Sequence, residues 1–138
     1  MKAALLQLRL IHAMFVVTWF LFVFVTVYII HPADKLVGMT IPLVLGVAAL
    51  SGISVAQTLR QRMVVTPAEE LTRNPDNALL LQRWRAGNIV QFAVAESTTL
   101  FGLVLKLLGA TWSVASPFFA VGLLLLLFAA PRDPSRKF

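Results

Sequence analysis

The sequence predicts an all-α membrane protein of four transmembrane helices with both termini cytoplasmic, and three observations carry that expectation. Of its 138 residues, 59% are hydrophobic and 13% charged, whereas a soluble domain has about a quarter of its residues charged. The apolar residues come in long blocks instead of amphipathic stripes. The twelve Lys and Arg residues stand at the ends of those blocks, where positive charge orients a membrane chain. A net charge of +6 would suggest nucleic acid only if it formed one solvated patch, so no nucleic-acid partner is expected.

Each span follows from length, since crossing the bilayer core takes about 20 apolar residues. The first runs over about 10–30 and is rich in Phe, Val and Trp. Its start, MKAALLQLRLIHAMFVV, has a basic lead, but the apolar run is too long for a signal-peptide core and no A-x-A-like site follows, so it reads as a retained helix. Pro32 and Asp34–Lys35 break it. The second span covers about 37–59, the third about 86–108, and the fourth about 112–130, stopped by Pro131. Spans two and three form a central antiparallel hairpin.

The segment 60–85 reads as a cytoplasmic connection with two helix starts. At Thr66 a capping box with Glu69 surrounds Pro67, which suits a first helical position. At Asn74 a second cap precedes Pro75 and Asp76, so the third helix extends back to about 75. With the N-terminus inside, ten of the twelve bases are cytoplasmic and only Lys35 and Lys106 are outside. That split predicts a multi-pass protein of a bacterial-type inner membrane.

Several chemistries are excluded. There is no cysteine, hence no disulfide, thiolate metal site or thiol nucleophile. His12 and His31 lie near opposite ends of one span, which does not make a bis-His haem site. Both histidines are expected at the membrane interfaces, with Tyr28, Trp84 and Trp112 as aromatic anchors. Arg83–Trp84–Arg85 reads as such an anchor, suited to an acidic lipid headgroup. Lys106 is expected to snorkel to the outer surface. No nucleophile triad, metal-ligand cluster or phosphate loop is present, so no enzymatic activity is expected.

The stretch 94-VAESTTLFGLVLKLL-108 carries the functional question. Glu96 stands ten residues into the third span, about 15 Å along a helix and close to the bilayer midplane. A charged side chain at a helix centre costs roughly 2.5–3.5 kcal/mol on insertion scales. Ser97 and Thr98 beside it can donate to the carboxylate, bond back to helix carbonyls, or offer oxygens to a small hard cation. An antiparallel hairpin turning near Asn74–Pro75 puts Ile53 level with Glu96, and Gln57 within a turn. The segment 46-GVAALSGISVAQ-57 holds Gly46, Ser51, Gly52 and Ser54, small residues that let two helices approach.

Residues 94–105 and Arg73-Asn74-Pro75-Asp76 resemble the outer helix and loop of the ring-forming proteolipid (c) subunit of rotary ATP synthases, sodium-binding type. The likeness spans 43–108 at most. It implies a proton- or sodium-binding component of an ion-coupled complex, with Glu96, Ser97, Thr98 and Gln57 as the oxygen ligands of Na+ or H+. The chain departs from that family in the inner helix, where only Gly46 and Gly52 replace glycines at every second position, and in helices one and four, which have no counterpart. Two expectations therefore stand side by side. One is an oligomeric ion-binding proteolipid. The other is a non-catalytic accessory or scaffold subunit of a larger membrane assembly, in which Glu96 is a neutral packing group. Either way the partners are the lipid bilayer and other subunits, identical or foreign.

Overall fold

The computed structural model describes residues 2–30 and 38–133. The predicted break at His31–Lys35 and the basic tail Arg136–Lys137 lie outside the described residues. Within them the chain is all-helical, in four rods: α1 Lys2–Ile29, α2 Thr40–Arg73, α3 Ala78–Leu107 and α4 Trp112–Phe128. The first three are long and apolar enough to cross a membrane. The fourth has 17 residues, about 26 Å at 1.5 Å per residue.

α1 and α2 each contain one widened, π-helical turn, at Val25–Ile29 and Gln61–Val65. In α1 the Thr26 hydroxyl donates to Phe22 O at 2.6 Å, competing with the backbone N–H that this carbonyl would otherwise accept. In α2 the cause is Pro67. Its ring has no N–H and would collide with the carbonyl four residues back, and a wide turn just before it moves that carbonyl aside.

That turn corrects the expected helix start at Thr66. Thr66 has helical backbone angles, and its hydroxyl donates back to Gln61 O at 3.0 Å instead of capping a new helix with Glu69. α2 therefore runs unbroken through most of the predicted connection. It ends where Asn74 leaves the helix with its N–H still on Glu70 O.

The second predicted start is displaced by three residues. Asn74 accepts from Asn77 N at 3.3 Å, closing a turn with Pro75 at its second position, where a fixed φ is favourable. Asn77 is the actual cap: its side-chain oxygen accepts from Leu79 N and Leu80 N at 3.1 and 3.2 Å.

α3 ends in a Schellman turn. Gly109 N donates to Lys106 O at 3.0 Å and Ala110 N to Leu105 O at 2.9 Å. Gly109 takes φ 94° there, which a side chain would strain. Lys106 is 5% exposed and does not snorkel. Its ammonium donates to Ala110 O at 2.9 Å and lies 5.1 Å from the Trp112 ring centroid, so the charge is spent on locking the α3–α4 turn.

α3 is the centre of the bundle and touches all three other helices. Arg85 meets Gln7, and Phe92 packs on His12, so α1 runs parallel to α3. Gln91 meets Ala56, and Gly122 faces Thr99 and Ala95, so α2 and α4 run antiparallel to it. This up-down-up-down order gathers Lys2, Arg9, Arg60, Arg62, Arg73, Arg83, Arg85 and Arg132 at one end. Lys106 alone is at the other end among the described bases.

Two apolar clusters hold the ends. Leu5, Leu8, Leu71, Leu80, Trp84 and Phe92 pack at the basic end, and Leu105, Ala110, Ala115 and Phe119 at the other. Met14, Val17 and Phe20 on α1, and Leu43, Val47 and Leu50 on α2, are exposed. In water this surface would drive collapse, but against lipid tails it costs nothing, because hydrocarbon is as apolar as leucine.

Candidate intramembrane carboxylate site

α3 sorts its residues by face. Gly87, Gln91 and Val94 face α2, Ala95, Thr99 and Gly102 face α4, and Phe92 faces α1. Glu96 is one turn after Phe92, eleven residues from the end at Leu107, which is about 16 Å. On the helical wheel it falls between the α1 side and the outer flank formed by Ala93, Ser97 and Leu100, all exposed. Glu96 itself is half-buried. Its carboxylate has no hydrogen-bond or ion-pair partner among the described residues.

The neighbouring hydroxyls turn to their own helix. Ser97 donates to Ala93 O at 2.8 Å, Thr98 to Val94 O at 2.9 Å and Thr99 to Ala95 O at 3.2 Å. Ser97 is exposed, while Thr98 and Thr99 are buried. These three residues thus occupy three different faces, because consecutive helical positions diverge by about 100°.

The α2–α3 register is set by the Gln91 amide, which donates to Ala56 O at 2.6 Å. The positions sum to 147, so Glu96 is level with Ser51, two residues from the expected Ile53. Gln57 is then level with position 90, six residues or about 9 Å from Glu96 along the axis, and it is exposed. Gln91 supplies the interhelical amide contact that the sequence assigned to Gln57. The four residues expected to bind an ion are not brought together within one chain.

Of the expected packing residues, Gly52 lies against α3 at Val94. A side chain at Gly46 would meet nothing within 4 Å, and one at Gly52 would touch only Val94 Cγ1 at 4.0 Å. Ser51 and Ser54 are exposed, and Ser54 bonds back to Leu50 O. The close approaches are at three other glycines. A Cβ at Gly87 would fall 2.8 Å from Met63 Cβ, one at Gly102 2.9 Å from the Phe119 ring, and one at Gly122 inside contact of the Thr99 hydroxyl and 3.0 Å from Ala95 O.

Among the interface candidates, Arg83 is exposed and Arg85 donates to Gln7 Oε1 at 2.7 Å. Trp84 is 2% exposed, a core residue and not a lipid anchor. Position decides this: Trp84 lies three residues before Gly87, on the stretch of α3 that Leu71 of α2 and Leu5 and Leu8 of α1 close over.

Sequence reasoning placed His12 at a membrane surface, but it lies inside the bundle. Its Nε2 is 2.9 Å from Leu126 O, in the last turn of α4, where carbonyls lack a helical donor. Trp19 Nε1 donates to Phe119 O at 3.0 Å. No local signal in the sequence marks either contact, since each joins positions at least 100 residues apart. No group of His, Asp and Glu among the described residues is arranged to hold a metal ion. No protein-family model matches this chain, and neither a curated protein nor a solved structure matches it.

Proposed function

We propose that this chain is a four-span subunit of a membrane assembly in the inner membrane, with both termini cytoplasmic, in which Glu96 is met by a helix from outside the chain. One observation carries the reading: a half-buried carboxylate in the middle of α3 has no hydrogen-bond or ion-pair partner among the described residues. Polar groups in hydrocarbon persist when another helix hydrogen-bonds them. The hydroxyls of residues 97–99 are already engaged on their own helix. The flank beside Glu96 presents Ala93 and Ser97, small enough for a second helix to come close. The basic end of the bundle supports the orientation by the positive-inside rule.

The test is the native mass in mild detergent. The wild-type chain is expected as a homo-oligomer or with foreign subunits. Glu96→Leu should release it as a monomer of unchanged melting temperature, and Glu96→Gln, which keeps hydrogen bonding, should stay assembled. An unchanged mass for Glu96→Leu would sink the proposal. Topology is tested separately in the cysteine-free background. Ser113→Cys should react with an impermeant reagent from outside and Glu70→Cys should not.

A second reading is favoured by the half-buried position of Glu96 beside the exposed flank of Ala93 and Ser97. An ion site there would be completed between chains, as in a proteolipid ring, and Glu96 would exchange H+ or Na+. Protonated carboxyls react with hydrophobic carbodiimides, so Glu96 should label near neutral pH in the assembly. Sodium, as ligand, should protect it and potassium should not. Labelling that ignores sodium, without proton flux in liposomes, leaves the accessory role.

A further inference from the structure

A cavity of about 560 Å³ opens at the basic end, between the last third of α2, the first half of α3 and the chain leaving α4. It forms because α2 is drawn against Gly87 at Met63 and Val64, while α4 stops at Phe128 and leaves the following turns of α2 uncovered on that side.

Three kinds of chemistry meet in it. Trp84, Val64 and Phe128 give an apolar wall. Arg60, Arg73 and Arg132 face Glu69 and Asp133, three positive charges against two negative. Neither Arg60 nor Arg73 has a hydrogen-bond or ion-pair partner among the described residues. The third feature is Asn88, 4% exposed. Its amide donates to Trp84 O at 2.8 Å, and its side-chain carbonyl has no partner among the described residues. No buried side-chain oxygen among the described residues is sealed off without one, so this acceptor opens onto the cavity it lines.

We infer that this cavity binds a phosphate ester carrying a free hydroxyl, of the glycerophosphate type found in anionic phospholipid headgroups. Guanidinium groups pair with phosphate oxygens in a planar, two-point fashion. The Asn88 oxygen, an acceptor only, calls for a donor such as a hydroxyl. The apolar wall takes the glyceride part, and the depth at the charged end of the spanning helices matches a headgroup. Arg83 and Arg85, which the sequence offered for this role, are respectively solvent-facing and held by Gln7.

Native mass spectrometry of the detergent-solubilised chain, exchanged into mixed micelles of phosphatidylglycerol and phosphatidylcholine, reads the occupancy directly. One phosphatidylglycerol per chain should be retained in preference to phosphatidylcholine. Arg60→Gln/Arg73→Gln should weaken retention by more than about tenfold, given the usual attraction of basic residues for anionic lipid. Ala68→Phe, which fills the cavity and keeps every charge, should also abolish it. Arg62→Gln/Arg83→Gln, at exposed bases outside the cavity, should leave it unchanged. Glycerol 3-phosphate added at millimolar concentration separates the two sources. If it leaves the lipid in place the ligand is the lipid, and if it displaces the lipid the cavity serves a soluble ester of the same chemistry. Equal loss in the Arg62/Arg83 variant, or no preference for phosphatidylglycerol, overturns the assignment. Melting temperatures of all variants check that each remains folded.

Discussion

The two flanks of α3 that meet α4 and α2 both carry glycines, and they behave differently. Against α4, Gly102 and Gly122 are points where backbones come so close that a methyl group would collide with Phe119 or with Thr99 and Ala95. Against α2, contact is tight only at Gly87, ordinary at Gly52 and absent at Gly46. α2 therefore leans on α3 at the basic end and stands away from it further on. A run of small residues permits close packing but does not compel it. The partner must bring a matching surface at the same height, and α4 brings Phe119 and Gly122 where α2 brings only Gly52.

Substitutions that enlarge these positions should break the contrast most visibly. Gly122→Leu would press into backbone as well as into Thr99, and its cost should reach the upper part of the about 1–3 kcal/mol range for overpacking. Thermal denaturation in detergent measures it, and a melting temperature equal to wild type would show the α3–α4 seam to be looser than described.

Next in size is Lys106→Met. It keeps most of the stem but removes the ammonium from Ala110 O and from the Trp112 face. A hydrogen bond from a charged group contributes about 1.5–3 kcal/mol, and a loss near the lower end is expected, seen as earlier melting and faster hydrogen exchange at residues 108–111. A snorkelling lysine would show neither.

The amide pair sharpens the α2 side. Gln91→Leu should cost about 1 kcal/mol, the usual net value of a buried hydrogen bond, while Gln57→Leu, at an exposed site, should be neutral. The reverse ranking would restore the register in which Gln57 faces Glu96. Smallest of all is Gly46→Leu, which meets nothing within 4 Å. A measurable loss of stability there would mean that α2 lies closer to its neighbours than the structure has it.

The substitutions also separate what was legible in the chain from what was not. The three long apolar helices were legible because hydrophobic length is a local property, read residue by residue over about 20 positions. Proline marks a disturbance in the sequence without fixing its consequence. Pro67 was expected to start a helix and instead sits inside one, because a widened turn before it removes the clash. Pro75 was expected to open α3 and instead occupies a turn that hands the cap to Asn77. Each alternative is locally reasonable, since Thr66 and Asn74 are both residues that favour helix caps. At Glu96 the anomaly was plain from composition, since a carboxylate among aliphatic residues stands out. Its surroundings were not, because the hydroxyls of residues 97–99 can bond forwards, backwards or across, and only the packed helix shows that all three bond back.

Composition along the chain makes this a set of apolar, membrane-type helices, with basic residues at the ends of the apolar blocks and a carboxylate among aliphatic residues in the third helix. No tertiary arrangement changes those properties. Which helix α3 packs against most closely, that Trp84 and Lys106 are buried, that His12 reaches Leu126 and that Glu96 is half-buried beside the outer flank of α3 all come from the tertiary structure. In lipid every apolar face is equally acceptable, so hydrophobicity cannot say which faces meet. That choice falls to the fit of glycines against rings and to a few long-range hydrogen bonds, and both exist only once the helices are side by side.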